Sequence, residues 1–306
     1  MRTKNIGTLL GIKHPILLAG MAGISDAVLA AAVSNAGGLG TIAGAMETSK
    51  SLSEQIKRIR ELTDKPFAVN IPLLFDHTEE LVETVIKERV KVIITAAGDC
   101  QLYTERLKAA GCIVIHVVPS PKQAKKAEDV GVDAVIAEGF ESGGAASPYE
   151  IGTIALIPQV VDSVNIPVIA AGGIGDARGY LSSFILGASG VSLGTVFLTS
   201  KEAQKASSLY KEMLLNSGAA DTAIAAKGVL GIRLLKNNLY YEIDRLINNG
   251  ADRNEIKFLI SSRNSELLSC GQGVGLIENI RSVYDIIEDL ISGAKEIIGE
   301  LDYNRL

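Results

Sequence analysis

The chain has 306 residues, of which 47% are hydrophobic and 21% charged. This composition excludes a disordered protein and suffices for one large domain with a smaller addition, and the net charge of −5 argues against binding to nucleic acid. The three cysteines lack metal-ligand spacing, and no apolar run has the length of a signal peptide or a transmembrane helix, so we expect a cytoplasmic protein that binds neither metal nor membrane.

Short apolar runs alternate with helical patterns along the first two thirds of the chain. The runs predict strands over Pro15–Ala19, Leu39–Ala43, Phe67–Leu73, Val90–Ala96, Cys112–Val118, Ala134–Ala137, Pro167–Ala171 and Val191–Leu193. Helices are predicted after a cap at Asp26 through Ala36, and over Ser51–Leu62, Glu79–Glu88, Leu102–Ala110, Pro121–Val130, Thr153–Val164 and Asp176–Leu186. Eight such units with right-handed connections indicate a (β/α)8 TIM barrel rather than an open sheet.

The alternation ends after about residue 200. Ser207–Leu268 is more polar and mostly helical in pattern, so residues of about 201–275 are predicted to form a small, mainly helical second domain over the barrel rim. Val283–Ile298 has the pattern of an amphipathic helix. The segment of about 276–306 is therefore assigned with residues 1–200 to the barrel.

Glycines stand directly after the last two predicted barrel strands. Gly172 and Gly173 follow one strand, and Gly194 and Thr195 follow the next. Glycine lets backbone N–H groups approach a ligand closely, and a nearby helix N-terminus adds partial positive charge. One pair could be an ordinary tight turn, but glycine turns after the last two strands of a TIM barrel recurrently form a phosphate-binding site. They predict the phosphate site of a cofactor.

Four other residues lie at predicted strand ends, namely Met21, Asn70, Gly98 and Glu138. Such ends meet at the barrel rim, where active sites lie. Asn70 could instead satisfy a backbone group, and Glu138 could be a solvated carboxylate. Gln272, in the glycine loop after the second domain, could equally be a loop-stabilising amide or a site residue.

Eight pieces of the sequence occur in an order that resembles one family. They are GMAG (20–23), AGGLGTI (36–42), KPFAVNIPL (65–73), AAG (96–98), DAVIAEGFESGG (133–144), IPVIAAGGI (166–174), VSLGT (191–195) and CGQGVGLI (270–277). The family contains the FMN-dependent nitronate monooxygenases, or 2-nitropropane dioxygenases, and the enoyl-acyl carrier protein reductases II. The resemblance covers about residues 10–200 and 270–300. The pieces DKPFAVNI, IVIHVVPSPKQAKK and GQGVGLI look more like the reductase branch.

The resemblance implies positions for the cofactor. The FMN phosphate would lie on the two glycine turns, and the isoalloxazine ring would lie against Met21 and Ala22 near Asn70. The other residues assigned to the cofactor site are Gly98, Glu138, Gly143, Gly144 and Gln272. In this family a histidine follows the two glycines of the EAGGH loop and handles protons at the flavin, but here that position is Ala145. Alanine neither takes nor gives a proton.

Two residues are candidate substitutes for the missing histidine. His77 follows the third predicted strand on the catalytic rim, and Tyr149 lies just beyond the altered loop. His77 could also be a solvated residue near a helix start. His116, within a predicted strand, is expected to be packed and hydrogen-bonded, and His14 precedes the first strand at the opposite end of the barrel, where roles are structural.

The resemblance implies an FMN-dependent oxidoreductase. The leading hypothesis is reduction of an activated C=C bond in an enoyl thioester or enone, with NADH or NADPH as reductant; a homodimer is also expected. Three alternatives stay open, namely oxidation of alkyl nitronates with O2, a barrel that binds flavin or a partner without catalysis, and a flavin-free barrel that acts on a sugar phosphate. An inosine monophosphate dehydrogenase is excluded because the loop FESGGAASP has no nucleophilic cysteine.

Overall fold

The computed structural model describes residues 5–301. The strands, in chain order, are β1 Ile16–Leu18, β2 Gly40–Ala43, β3 Phe67–Pro72, β4 Val92–Ala96, β5 Ile113–Val118, β6 Ala134–Glu138, β7 Gly144–Ala145, β8 Val168–Ala171, β9 Gly190–Leu193, β10 Thr222–Ala225 and β11 Ile232–Leu235. Eight of them form one parallel sheet in the order β1-β9-β8-β6-β5-β4-β3-β2. Every predicted barrel strand is confirmed, with ends that differ by at most about two residues.

The sheet closes on itself through its first two strands. Leu17 and Leu39 form a parallel bridge between the two ends of the strand order. The Leu18 N–H donates to the Leu39 carbonyl, and the Leu39 N–H donates to the Ile16 carbonyl, both at 2.9 Å. The predicted TIM barrel is therefore confirmed.

The helices surround this barrel and continue into the C-terminal third of the chain. They are α1 Ile6–Leu10, α2 Ala27–Asn35, α3 Ser49–Leu62, α4 Thr78–Lys87, α5 Thr104–Ala109, α6 Pro121–Val130, α7 Thr153–Ser163, α8 Ala177–Ile185, α9 Thr195–Leu198, α10 Ser208–Leu215, α11 Asn238–Asn248, α12 Arg253–Ser262 and α13 Val283–Glu300. The Asp26 side chain accepts from two N–H groups at the start of α2, which confirms the predicted cap. A 3₁₀ turn, Cys100–Leu102, precedes α5, so the helix predicted over Leu102–Ala110 begins at Thr104.

Two apolar layers follow from the alternation of side chains along each strand. Residues such as Leu17, Ala68, Ile136 and Ile169 form the barrel interior. Ile6 and Leu10 of α1 close one end of this interior, opposite the C-terminal rim. The intervening strand residues, for example Val135, pack outward against the helices. No described helix is long and apolar enough to span a bilayer.

The segment 201–275 contains helices, as predicted, but also two strands that the sequence pattern did not indicate. β10 and β11 pair in antiparallel fashion, and β11 also pairs with β7. Because β7 belongs to the loop that follows β6, this second sheet joins the barrel rim to the segment 201–275. We call residues 201–275 the lid segment.

Candidate active site

The first glycine turn has a backbone conformation that favours glycine. Gly172 and Gly173 have φ values of +101° and +70°. An added Cβ on Gly172 would lie 2.8 Å from the Gly139 carbonyl oxygen, so the turn is packed from behind. The Thr153 hydroxyl oxygen lies 3.0 Å from the Gly172 carbonyl oxygen and 2.8 Å from the Glu141 carboxylate, so its single hydrogen is shared between these two acceptors.

The second glycine turn lies beside the first, because β8 and β9 are neighbours in the sheet. Gly194 precedes α9, and Thr195 is the first residue of that helix. The Thr195 hydroxyl oxygen accepts from the Gly271 N–H at 2.9 Å, which leaves its own hydrogen available for a ligand. Within residues 5–301, the backbone N–H groups of Gly172, Gly173, Gly194 and Thr195 donate to no backbone carbonyl.

These unused donors converge at the ends of two adjacent strands and therefore fit a phosphate. A cleft of about 220 Å³ begins one to two residues beyond the turns, where Gly175, Val196 and Arg281 are among the residues that line it. The donor set is thus what an FMN phosphate requires.

Asn70 lies at the barrel mouth, where it forms a hydrogen bond and limits the size of the residue at position 20. Ala68 belongs to the barrel interior, so Asn70, two residues further along β3, has an inward side chain. Its amide donates to the Ile94 carbonyl at 3.2 Å. An added Cβ on Gly20 would lie 2.5 Å from the Asn70 side chain, so a larger residue at position 20 would collide with it. Met21 follows directly, with its sulfur about 3.5 Å from the Cβ position of Gly194.

Glu141 is a structural carboxylate that the sequence analysis did not single out. It accepts from the Thr153 N–H at 2.9 Å and from the Thr153 hydroxyl at 2.8 Å, and so caps the start of α7. Its backbone carbonyl accepts from the Gln272 N–H at 2.9 Å. The loop after β6 is thereby tied both to α7 and to the 272 loop, which it holds beside Gly173. Glu141 occupies the position of the glutamate in the family's EAGGH loop, and this position could have identified it from the sequence.

Glu138 ends β6 and has an inward side chain like that of Asn70. Ala134 and Ile136 lie in the barrel interior, so Glu138 continues the same row to the rim. It lies opposite Ala171, the residue before the first glycine turn. Protein atoms enclose the carboxyl although the residue keeps some exposure at the barrel mouth. This burial raises the pKa of Glu138 to about 7, and a hydrogen bond from Ser142 opposes the rise only in part.

The loop that carries Ala145 is held by the lid segment. Gly144 pairs with Arg233, and Ala145 pairs with Ile232. Gly143 packs so closely that an added Cβ would lie 2.6 Å from the Cys270 backbone. Gly144, by contrast, has open space where a Cβ would be. The methyl group at position 145 is exposed and has no acid or base chemistry.

Arg233 is a buried arginine, 4% exposed, which the sequence analysis missed because its segment was read as helical. Its guanidinium donates to the Phe140 carbonyl at 3.2 Å and to the Thr222 hydroxyl at 3.2 Å, and it lies 5.2 Å from the Phe140 ring centroid. Burial lowers the pKa of Arg233, and Glu141 opposes this. Burial also raises the pKa of the Cys270 thiol to about 12. Arg233 thus connects the loop of residues 140–145 to the lid segment through its hydrogen bonds.

The predicted substitutes for the histidine are not joined to these groups by any hydrogen bond found among the described residues. His77 precedes α4 and stacks on Phe75, with ring centroids 5.5 Å apart; its Nε2 is enclosed without a partner. Tyr149 is 52% exposed. His116 bonds the Thr95 hydroxyl at 2.8 Å, which confirms its prediction as a packed residue. Gly98 packs on Leu73, and no contact tests its assignment to the cofactor.

A closed barrel whose last two strands end in turns of unused N–H donors defines the phosphate-binding class of TIM-barrel proteins. No set of three His, Cys, Asp or Glu side chains that could hold a metal occurs in the part of the chain that the structure describes. The family model for nitronate monooxygenase matches residues 4–81 and 75–293. The chain therefore belongs to the nitronate monooxygenase family and is an FMN-dependent oxidoreductase.

Three relatives illustrate the two chemistries in this family. A probable nitronate monooxygenase of Staphylococcus saprophyticus is 34% identical, over 95% of this chain and 97% of the relative. FabK from Thermotoga maritima, an enoyl-acyl carrier protein reductase II, is 39% identical over 98% of both chains, with a TM-score of 0.92. A nitroalkane oxidase from Streptomyces ansochromogenes is 26% identical over 97% of this chain and 99% of the other, with a TM-score of 0.83.

Proposed function

We propose that this protein reduces an electron-poor C=C bond, in an enoyl thioester or another enone, with NADH or NADPH as the reductant. The observation that carries the proposal is the similarity to FabK over 98% of both chains, which includes the lid segment and reaches 39% identity. The similarity to nitroalkane oxidase is weaker, at 26%.

The residues of the site have separable roles in this reaction. FMN, when bound, supplies the redox chemistry, and the protein supplies binding, orientation and electrostatics. The N–H groups of the two glycine turns hold the phosphate. Asn70 fixes the mouth of the barrel through its bond to the Ile94 carbonyl. Arg233 holds the loop of residues 140–145 against the lid segment and so fixes the position of that loop.

The alanine at position 145 disfavours one reaction at this site, the oxidation of neutral nitroalkanes. Oxidation of a neutral nitroalkane begins with loss of a proton from carbon, and a methyl group offers no base for that step. A nitronate is already deprotonated, so its oxidation needs no base at this position. Nitronate oxidation with O2 is therefore the second candidate function, supported by the family model and by the Staphylococcus relative.

Anaerobic stopped-flow absorbance separates the two candidates. The protein, reconstituted with FMN, is mixed with NADH or NADPH and then with crotonyl-coenzyme A as the enoyl thioester. Fast bleaching of the flavin by a nicotinamide, followed by reoxidation on addition of the thioester, supports the proposal. Bleaching by propionate 3-nitronate alone supports nitronate oxidation instead. A protein that is bleached by neither is a binding protein, and both candidates then fall.

A further inference from the structure

Two carboxylates, Glu138 at the end of β6 and Glu141 in the loop after it, have sharply different surroundings. Glu141 accepts two hydrogen bonds from the Thr153 N–H and hydroxyl groups, so its negative charge is well satisfied. Glu138 has one hydrogen-bond partner, the Ser142 hydroxyl, and lies in the inward row of β6 that begins with Ala134 and Ile136. Of the two, only Glu138 has an inward side chain and few hydrogen bonds to stabilise its negative charge. Such surroundings suit a group that exchanges a proton.

We propose that Glu138 is the proton donor that replaces the family's histidine, so that acid catalysis in this protein comes from the end of β6 rather than from the loop at Ala145. The inference rests on the proposed reduction of a C=C bond. It names a catalytic role for a residue otherwise expected only to line the flavin.

The position of Glu138 carries the proposal. Its partner in the register of the sheet is Ala171 at the end of β8, an apolar residue of the barrel interior. With Asn70, Thr41 and Ser192 it is one of the polar side chains in the inward rows of a largely apolar interior. Glu138 thus lies in the inward row at this mouth, whereas the exposed Ala145 belongs to the separate sheet that the loop shares with the lid segment.

Three titratable groups lie on the loop after β6 and on the lid segment that pairs with it. The Glu141 carboxylate is bound to Thr153, the Arg233 guanidinium is bound to the Phe140 carbonyl, and the Cys270 thiol is buried. Among the ion pairs found within residues 5–301, none includes Glu138. With no cation to hold the ionised form, the carboxyl keeps its proton to near pH 7, in accord with its raised pKa of about 7.

The chemical step balances without another reactant. Hydride addition to the carbon β to the carbonyl, with NAD(P)H as its source, leaves an enolate on the thioester. The O–H bond of Glu138 then breaks, its proton forms a C–H bond at the α carbon, and the enolate C=C bond becomes C–C as the carbonyl is restored. The resulting carboxylate takes a proton from water, which completes the turnover.

The test uses Glu138→Gln, which keeps the shape of the side chain and removes its acidity. We expect thioester-dependent reoxidation of the flavin to slow by about 10²- to 10⁴-fold, the usual contribution of a general acid. Bleaching by the nicotinamide and the Kd for FMN should each stay within about threefold of the parent. Glu79→Gln, an exposed carboxylate on α4, is the matched control and should change nothing.

A second readout does not depend on turnover. Side-chain carboxyl ¹³C NMR of glutamate-labelled protein, with and without FMN, should show one carboxyl that titrates near pH 7 and is absent in Glu138→Gln. A Glu138 resonance that titrates near the ordinary value for glutamate overturns the proposal.

The remaining outcomes are equally decisive. An unchanged reoxidation rate in Glu138→Gln overturns the proposal, as does a rate that falls in His77→Ala or Tyr149→Phe instead. A loss of FMN affinity in Glu138→Gln that accounts for the slower rate makes Glu138 a cofactor-positioning residue and overturns its role as acid. If the parent protein itself is not reoxidised by the thioester, the proposed function fails and this inference fails with it.

Discussion

Replacing Gly173 with aspartate tests the phosphate site most directly. The new side chain has no room on the Glu141 side, because a Cβ at position 173 already lies 3.2 Å from the Glu141 Cβ. The carboxylate is therefore forced toward the unused N–H groups of the two glycine turns. Aspartate tolerates the left-handed φ of +70° at Gly173 better than most residues, so the turn can keep its conformation.

The expected loss follows from Coulomb's law. Two unit charges about 4 Å apart repel each other by about 4 kcal/mol at an effective dielectric constant of about 20. Since about 1.4 kcal/mol corresponds to a tenfold change in an equilibrium constant, the Kd for FMN should rise about a thousandfold. Titration of the FMN-free protein, followed by quenching of flavin fluorescence, measures this Kd.

Two control variants separate charge from backbone strain and from misfolding. Gly173→Asn has nearly the same shape without the charge and should weaken FMN binding far less. Gly111→Asp adds the same charge at a φ of +78° with nothing within 4 Å, in the turn between α5 and β5, and should leave the Kd unchanged. Thermal unfolding of the FMN-free proteins shows whether repulsion from Glu141 destabilises the fold. FMN binding by Gly173→Asp within about threefold of the parent, or equal losses in the aspartate and asparagine variants, would refute the reasoning.

Three further predictions concern other parts of the site and the barrel. Ala145→His should restore a base and raise oxidation of neutral nitroalkanes by about 10²- to 10⁴-fold over the parent, whereas Ala146→His, the neighbouring control, should not; an oxygen electrode measures both. Cys270, whose pKa burial raises to about 12, should react with iodoacetamide at pH 8 at least about tenfold more slowly in the native protein than in urea, as mapped by peptide mass spectrometry; equal rates would contradict its burial. Burial lowers the pKa of His116 to about 4, below the value of about 6.5 in the unfolded chain. The unfolded chain therefore binds a proton first, so stability is lost as the pH falls from about 6.5 toward 4, by up to about 3 kcal/mol, and His116→Asn should flatten this part of a urea-unfolding series; an unchanged slope would exclude His116 as its cause.

The barrel could be predicted because its signals are local. Each barrel strand is an apolar run that ends near glycine or a polar residue, as in Ile16–Leu18 before Gly20, and Asp26 caps its helix in the way its sequence position indicates. The glycine turns after β8 and β9 were predicted for the same reason, since glycine acts on the backbone of its own residue, and their role as the FMN phosphate site stays a prediction. The FMN chemistry came from the order of motifs and not from any single position.

The second sheet could not be predicted because its stability is not local. β10 and β11 are four-residue strands, and the two residues of β7 have no side-chain alternation to detect. Arg233 is polar within a short apolar stretch, and only its pairing with a loop some 90 residues earlier makes it buried. The raised pKa of Glu138 likewise depends on the atoms that enclose it.

The shared sheet bears on attempts to change substrate preference by exchanging the lid segment between relatives. Of its three strands, β7 is encoded in the barrel and only β10 and β11 lie within residues 201–275. A graft of residues 201–275 would therefore bring a foreign β11 against the native β7, and its register would reset the position of Ala145. Successful chimeras should carry residues 140–150 along with the lid segment, as one inherited unit.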